Sequence, residues 1–164
     1  MGRRNAEKGL ISLDVFILAI GKIKPSPEKD LIDKYVRQTR RKVVIREFED
    51  KKSGTVEERM KREAAWLLQN VPSGAKVVVA DERGKTMGSV EFSEKIRTFE
   101  DCGAPAVCFL IGGADGHDES VRQRADLLLA FGKMTWPHFL ARVMLVEQIY
   151  RAQTILDGHP YHRA

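Results

Sequence analysis

The chain has 164 residues and carries 28 Lys and Arg against 23 Asp and Glu, a formal net charge of +5. This length suggests a single domain, and the absence of a run of about 18 apolar residues argues against a transmembrane helix. The apolar stretch near the N-terminus contains Ser12 and Asp14 and lacks a cleavage signal, so we expect no secretory peptide and predict a cytoplasmic protein. The positive charge suits a polyanionic partner such as nucleic acid but does not require one.

Strands and helices are predicted to alternate along the chain. Short apolar, β-branched runs bounded by turn residues indicate strands, and apolar side chains that recur every three or four residues indicate helices. The alternation is typical of an α/β fold with a mostly parallel sheet and helices on both faces. Residues 1–10 are predicted to be a disordered extension, which leaves residues 11–164 as the single domain. The predicted strands are Ile11–Ile20, Val43–Phe48, Lys76–Ala80 and Ala106–Ile111, followed by an extended segment at Phe131–His138; the predicted helices start at Ser26 or Pro27 and then cover Val56–Asn70, Ser89–Asp101, His117–Ala130 and Phe139–Leu156.

The two cysteines, Cys102 and Cys108, flank the start of the fourth predicted strand. Neither belongs to a metal or redox motif, so both are predicted to be buried, reduced thiols. No metal site is predicted in the chain.

Two turns in the last third of the chain are rich in residues that let a ligand approach the backbone. Gly112 and Gly113 end an apolar strand, and Gly116 follows in the same turn; glycine lacks the Cβ that would hold a ligand away. The second turn, Gly132–Pro137, leads into the long C-terminal helix. Open α/β sheets bind ligands at the carboxyl ends of neighbouring strands, so the two turns together predict a small-molecule site. The G-x-G-x-x-G fingerprint is absent, and the glycine pair alone is also typical of an ordinary tight turn.

The long helix predicted at Phe139–Leu156 is apolar around most of its circumference. Such a helix must be buried on more than one side, either as a central core helix or as part of a homodimer interface. Pro137 is predicted at its first position, with Thr135 or Trp136 as the N-cap.

Polar side chains at the start and middle of this helix form two pairs with i,i+4 spacing. His138 and Arg142 share one face near the second turn, which makes them candidates for ligand contact. Glu147 and Arg151 are also four residues apart, in the favourable order. A pair of that kind is more often structural than catalytic.

A compact polar and aromatic tail follows the helix. Gly158 is predicted to end the helix in a left-handed cap. Residues His159–Arg163 then supply two histidines, a tyrosine and an arginine, and without carboxylate or thiol companions they do not resemble a metal site. The tail is either disordered, as many termini are, or ordered against a nucleotide by ring stacking and phosphate contact.

Taken together, these segments resemble the bacterial large-subunit ribosomal RNA pseudouridine N3-methyltransferases, which belong to the SPOUT class. The resemblance extends from about Leu13 to the C-terminus and is most specific at the C-terminal end. It implies an α/β sheet with a C-terminal trefoil knot. The residues that carry it are Leu110–Gly113, Gly116, Lys133–His138, Arg142, Val143, Glu147–Ala152 and His159–His162.

The resemblance implies that S-adenosylmethionine is the cofactor, held in a bent pose by backbone groups. This chain departs from the family pattern at two implied positions: relatives often carry Leu at Ala80 and Ser at Gly132. Trp136 also offers a larger ring than the Leu or Phe of many relatives. The implied cofactor-binding residues are Ala80, Gly112, Gly113, Gly132, Lys133, Met134, Thr135, Trp136 and Pro137.

The implied reaction transfers the sulfonium methyl group to N3 of a pseudouridine in 23S ribosomal RNA, within the large subunit or the assembled 70S ribosome. The protein must align the reacting atoms and assist loss of the N3 proton. The resemblance also implies a homodimer through the long helix, with each site completed by the partner chain. The implied catalytic residues are His138, Arg142, Tyr161 and His162, with His162 as the base and Arg142 as an orienting cation.

Two other functions remain open from the sequence. The chain could be a non-catalytic RNA-binding or ribosome-assembly protein with the same fold, or a nucleotide-binding doubly wound domain that does not bind RNA. The loop at Glu49–Thr55 is similarly open: it is either a solvated loop or, by the resemblance, an RNA contact through Lys51 and Lys52.

Overall fold

The computed structural model describes residues 13–163. Five strands form one sheet in the order β2-β1-β4-β3-β5, and every neighbouring pair is parallel. The α/β fold with a parallel sheet is therefore confirmed. The strands are β1 (Asp14–Ile20), β2 (Val43–Phe48), β3 (Lys76–Thr86), β4 (Ala106–Ile111) and β5 (Leu127–Ala130); the helices are α1 (Pro27–Gln38), α2 (Val56–Gln69), α3 (Ser89–Asp101), α4 (Glu119–Arg124) and α5 (His138–Asp157).

Helices cover both faces of this sheet. Successive side chains of a strand point to opposite faces, so β4 sends Val107 and Phe109 into one core layer and Cys108 and Leu110 into the other. Helices α1, α3 and α5 pack on the first layer, and α2 and α4 pack on the second. All six residues of β4 are buried, as expected for a parallel strand that is covered on both faces.

Several helix boundaries follow the predicted capping residues, but the start of α5 does not. Ser26 caps α1 through its side chain and Asp118 caps α4, while Gly158 ends α5 at φ 71°, the predicted left-handed cap. At the start of α5 the prediction was wrong: Pro137 is itself the N-cap and His138 is the first helical residue. The Pro137 ψ angle of 137° is extended, which keeps this residue outside the helix.

The helix predicted at His117–Ala130 is wrong. The structure instead has the short helix α4, and then β5 at Leu127–Ala130. Asp126 turns the chain into the sheet, since its N–H donates to the Val77 carbonyl and its carboxylate accepts from the Val77 N–H, both at 2.8 Å. Pairing with β3 and burial of the leucines outweigh the helix propensity of the sequence, which is a weak preference. The extended segment expected at Phe131–His138 is consequently irregular up to the first residue of α5.

Strand β3 is longer than the predicted Lys76–Ala80 and includes the expected exit loop. Ala80 and Lys85 both pair with Leu129, so the residues between them bulge out beside β5. A Cβ at Gly84 would lie 2.7 Å from the backbone carbon and oxygen of Leu128. The bulge therefore crosses β5 at a distance that only glycine permits. The trefoil knot remains an expectation from the resemblance.

Three further predictions concern the N-terminal residues, the two cysteines and membrane-spanning helices. The expected extension at residues 1–10 and the first residues of the predicted strand at Ile11 lie outside the described residues. Cys108 is buried as predicted, but Cys102 is exposed, because it lies at the end of α3 beside the turn at Gly103. In residues 13–163, none of the helices combines the length and apolarity needed to cross a membrane.

Candidate active site

The carboxyl ends of all five parallel strands lie at one edge of the sheet. Strand β5 is at the margin of this edge, whereas α5 begins three strands away, beside the end of β1. The start of α5 lies next to Gly21, the residue after β1, because a Cβ added at Gly21 would lie 3.7 Å from His138 Nε2. Strands are about 4.8 Å apart, so the segment Phe131–Pro137 must span about 14 Å across the ends of β3 and β4. The topology thus brings the two predicted turns to the same edge, near Ala80.

The glycine turn after β4 is tightly packed. The Gly116 N–H donates to the Gly113 carbonyl at 3.1 Å, and Gly116 has φ of 79°. A Cβ at Gly112 would lie 3.1 Å from the His117 ring, and one at Gly113 would lie 3.1 Å from Ile20. These two glycines therefore allow close packing between the turn and its neighbours.

The segment after β5 is open, in contrast to the glycine turn. Gly132 has φ of 101°, and no atom lies within 4 Å of the position that its Cβ would occupy. Residues 133–137 are exposed, with Met134 at 75% exposure. Trp136 folds back and donates its indole N–H to the Phe131 carbonyl at 3.1 Å. The segment can therefore offer backbone groups and two apolar side chains to a ligand.

Arg142 is an internal ion-pair partner and not an exposed cation. It is 1% exposed, donates to Glu47 at 2.5 Å and to the Gly21 carbonyl at 3.1 Å, and its Nε has no partner. His138, one turn earlier, is half-buried, and burial together with the nearby Arg142 charge lowers its pKa. Within one chain, only His138 of this predicted pair borders open space.

The C-terminal tail is ordered against α5 of its own chain. The Tyr161 hydroxyl donates to Glu147 at 2.9 Å, and the Arg151 guanidinium lies 4.8 Å from the centre of the Tyr161 ring. His162 Nδ1 lies 3.1 Å from Arg151 Nη1, where it accepts a hydrogen bond. Burial, and then the Glu147 carboxylate, raise the pKa of Tyr161, so the phenol remains protonated. The disordered alternative for Tyr161 and His162 is therefore wrong, and Glu147 and Arg151 form the structural pair.

Comparison with known proteins decides the family. A family model described as "Predicted SPOUT methyltransferase" matches residues 13–162. The chain belongs to the SPOUT methyltransferase family. It is similar to the ribosomal RNA large subunit methyltransferase H of Paramagnetospirillum magneticum, at 51% identity over 91% of this chain and 98% of the relative. The protein of the same name from Rhodospirillum centenum is 49% identical over 92% of this chain and 99% of the relative.

Solved structures of low sequence identity show the same fold. A probable methylase family protein from Haemophilus influenzae aligns with a TM-score of 0.57 at 9% identity, over 94% of this chain and 72% of that one. A probable rRNA-methyltransferase from Porphyromonas gingivalis aligns with a TM-score of 0.51 at 16% identity, over 88% of this chain and 70% of that one.

Two buried titratable residues of this SPOUT methyltransferase support the glycine turn and were not predicted from the sequence. His117 is 4% exposed, and its Nε2 lies 3.0 Å from the Ala80 carbonyl. Because a carbonyl only accepts, Nε2 carries the proton; burial lowers the pKa of His117, which keeps the ring neutral. Glu63 of α2 would lie 3.8 Å from a Cβ added at Gly113, and burial raises the Glu63 pKa. A histidine that directly follows a glycine turn is the one signal by which the sequence could have revealed His117.

A cavity in the described part of this SPOUT methyltransferase lies between β5, α1, α3 and α5. It has a volume of about 630 Å³ and includes Gly132, Met144, Glu147 and Arg151 in its wall. Of the predicted cofactor-binding residues, only Gly132 lines it. On the other face, the crevice at Gly112 is filled by neighbouring side chains and has no room for a ligand. The cavity thus connects the turn after β5 with the charged pair that holds the tail.

A single chain of the SPOUT methyltransferase does not bring the four predicted catalytic residues together. His138 and Arg142 lie at the first turn of α5, whereas Tyr161 and His162 contact Glu147 and Arg151. With a rise of about 1.5 Å per residue, the 13 positions between His138 and Arg151 correspond to about 20 Å. Among residues 13–163, no three His, Cys, Asp or Glu side chains are grouped as metal ligands.

Proposed function

We propose that this protein is an S-adenosylmethionine-dependent methyltransferase that acts on 23S ribosomal RNA. The observation that carries the proposal is the open segment Gly132–Pro137, which spans the strand ends in a chain of the SPOUT methyltransferase family. The names of relatives that match nearly the whole chain support ribosomal RNA of the large subunit as the substrate.

The residues present fit the cofactor at the turn after β5. Gly132 faces open space and the following backbone is exposed, so Gly132–Pro137 would hold the heterocycle by backbone hydrogen bonds, beside the strand ends at Ala80, Gly112 and Gly113. When bound, the cofactor supplies an activated methyl group for transfer. The protein's own residues orient the RNA base, exclude water and accept or pass on a proton.

We further propose that the methyl acceptor is N3 of a pseudouridine, with the large subunit or the 70S ribosome as the physical substrate. Loss of the N3 proton requires a group that can accept it. His162 suits this role once its bond to Arg151 is exchanged for the base. Tyr161, which stays protonated, would orient the nucleotide by stacking and hydrogen bonding.

The separation of these residues within one chain supports a homodimer with composite sites. His138 and the tail are about 20 Å apart along α5. Pairing of two chains through α5 would place the tail of one near the strand ends of the other. Leu140, on the first turn of α5, is 40% exposed, and it offers part of the apolar surface that such an interface needs.

Mass spectrometry of ribosomal RNA from a deletion strain tests the proposed function. We expect loss of one methylpseudouridine from 23S ribosomal RNA and its return when the wild-type gene is supplied. Unchanged RNA in the deletion strain would refute methylation. Calorimetry that shows no S-adenosylmethionine binding would instead favour the non-catalytic ribosome-assembly function.

A further inference from the structure

The turn that follows β1 presents two unpaired cations beside the candidate active site. Lys22 and Lys24 are exposed, and the turn at residues 21–26 contains no carboxylate. Within residues 13–163, neither lysine takes part in a salt bridge. A Cβ at Gly21 would lie 3.7 Å from His138 Nε2, so the turn adjoins the first residue of α5.

A buried clamp holds this turn in place from below. Arg142 donates to the Gly21 carbonyl at 3.1 Å and to Glu47 Oε2 at 2.5 Å. The same Glu47 oxygen accepts the Ile23 N–H at 2.8 Å. One arginine and one carboxylate thus fix both the carbonyl that begins the turn and the N–H between the two lysines. Backbone held in this way loses little conformational entropy when it binds a ligand.

The neighbouring turn after β2 extends the positive surface. Lys51 and Lys52 are exposed and form no salt bridge among the described residues. Asp50, between β2 and these lysines, is paired with Arg62. Among the described residues, the turns after β1 and β2 therefore contain one exposed carboxylate, Glu49, and four exposed lysines. Because β1 and β2 are adjacent and parallel, the four lysines lie side by side at the carboxyl edge.

We propose that Lys22 and Lys24, continued by Lys51 and Lys52, bind phosphates of the RNA substrate and set the register of the target base at His138. The proposal rests on the proposed function in taking ribosomal RNA as the substrate. Lysine binds phosphate as a point charge without base preference, and phosphate contacts fix register and orientation whereas base contacts give specificity. The clamp makes Glu47 and Arg142 positioning residues for this surface.

Substrate kinetics of Lys22→Ala/Lys24→Ala test the proposal. Total methyl transfer from labelled S-adenosylmethionine to ribosomes of the deletion strain is measured at several salt concentrations. We expect KM for ribosomes to rise roughly tenfold. The plot of the logarithm of the ribosome association constant against the logarithm of salt concentration should become less steep by about 1.4, the value for two phosphate contacts with single-stranded nucleic acid. The Kd for S-adenosylmethionine should be unchanged.

Lys42→Ala/Arg97→Ala provides the matched control. Both residues are exposed and form no salt bridge in the described part of the chain, and Lys42 precedes β2 at the opposite edge of the sheet. This variant loses the same charge, so KM and the salt slope should stay at their wild-type values.

Three results would overturn the proposal. They are wild-type KM and slope in Lys22→Ala/Lys24→Ala, an equal change in the control variant, or weaker cofactor binding with an unchanged KM for ribosomes. Total methyl counts do not depend on which RNA atom is methylated, so the test stands even if the acceptor is not pseudouridine N3. Co-sedimentation with ribosomes measures the same contacts without catalysis and separates this surface from failure of the methyl transfer itself.

Discussion

His117 joins the ends of β3 and β4 beneath the candidate site, at a position where a charged ring would be costly. Its Nε2–H bonds the Ala80 carbonyl, and burial lowers its pKa from the ordinary value of 6.5. Protonation therefore favours the unfolded chain. The stability that His117 contributes is complete above about pH 6.5 and is lost as the pH falls from that value through the lower pKa of the folded state.

A His117→Gln variant should show a weaker pH dependence of stability. Glutamine can still donate to the Ala80 carbonyl but does not titrate. We expect the free energy of unfolding of the wild type to fall more than that of the variant between pH 7 and pH 5, measured by urea denaturation. Parallel pH profiles for the two proteins would show that folding does not lower the pKa of His117. His138, whose pKa is lowered in the same direction, contributes equally to both profiles.

Arg142 and Glu47 illustrate a residue-scale role that the sequence could not predict. The i,i+4 spacing placed Arg142 on the face of His138, but its partner is 95 residues away in β2. Only the sheet order, with β2 beside β1, brings the two together. Sequence spacing can identify a shared helix face, whereas it cannot show which side of that face is covered by another element.

Arg142→Leu should destabilise the protein by about 3 kcal/mol, the lower end of the range for breaking a buried ion pair, because it leaves Glu47 half-buried without its cation. Urea denaturation measures the change, and Arg97→Leu serves as the control for loss of an exposed charge. In Arg142→Leu/Glu47→Leu part of the loss should be recovered, since replacing both members of a pair is less costly than removing one. A loss below about 0.5 kcal/mol, typical of surface substitutions, would mean that the clamp does not hold the turn after β1.

At the scale of elements, the sequence predicted most of the sheet but not its margin. Four strands and four helices have the expected type, because their apolar patterns are bounded by turn residues that end each element. Residues 127–130 do not show this agreement: the leucine run fits a helix locally, and the bonds between Asp126 and Val77 together with pairing to β3 direct it into the sheet. The predicted turns at Gly112–Gly113 and Gly132–Pro137 were correct in position, because Gly112 and Gly113 allow close packing against His117 and Ile20 and Gly132 has a positive φ.

The crossing of β3 over β5 makes Gly84 irreplaceable. Gly84→Ala places a Cβ 2.7 Å from the Leu128 backbone, and a backbone contact cannot move aside as a flexible side chain would. We expect a loss of at least about 3 kcal/mol, at the upper end of overpacking effects. Gly88→Ala is the matched control, since no atom lies within 4 Å of its Cβ position, and its loss should stay at the roughly 1 kcal/mol that an N-cap change to Ala costs. Equal melting temperatures for the two variants would contradict the crossing.

For the whole molecule, the main consequence is that the proposed site residues of one chain lie in two separate halves, one at the carboxyl edge of the sheet and one in the tail. The carboxyl edge of the sheet provides the open backbone at Gly132–Pro137 and His138, but the tail with Tyr161 and His162 is bound about 20 Å away along α5. The exposed apolar side chains Met134, Trp136 and Leu140 cluster near the first half. The sequence could indicate both halves by composition, but it could not show their separation, which follows from the tail folding back on α5.

A mixed dimer tests the composite site most directly. One chain carries Gly132→Val, whose side chain would enter the open cleft, and the other carries His162→Ala; each homodimer should be inactive in methyl transfer to ribosomes. If the tail acts in the partner's site, the mixed dimer contains one site with both halves intact and should recover about half of the wild-type kcat. A mixed dimer that stays inactive, while both variants fold and associate as the wild type does, would show that each tail serves its own chain and would contradict the composite site.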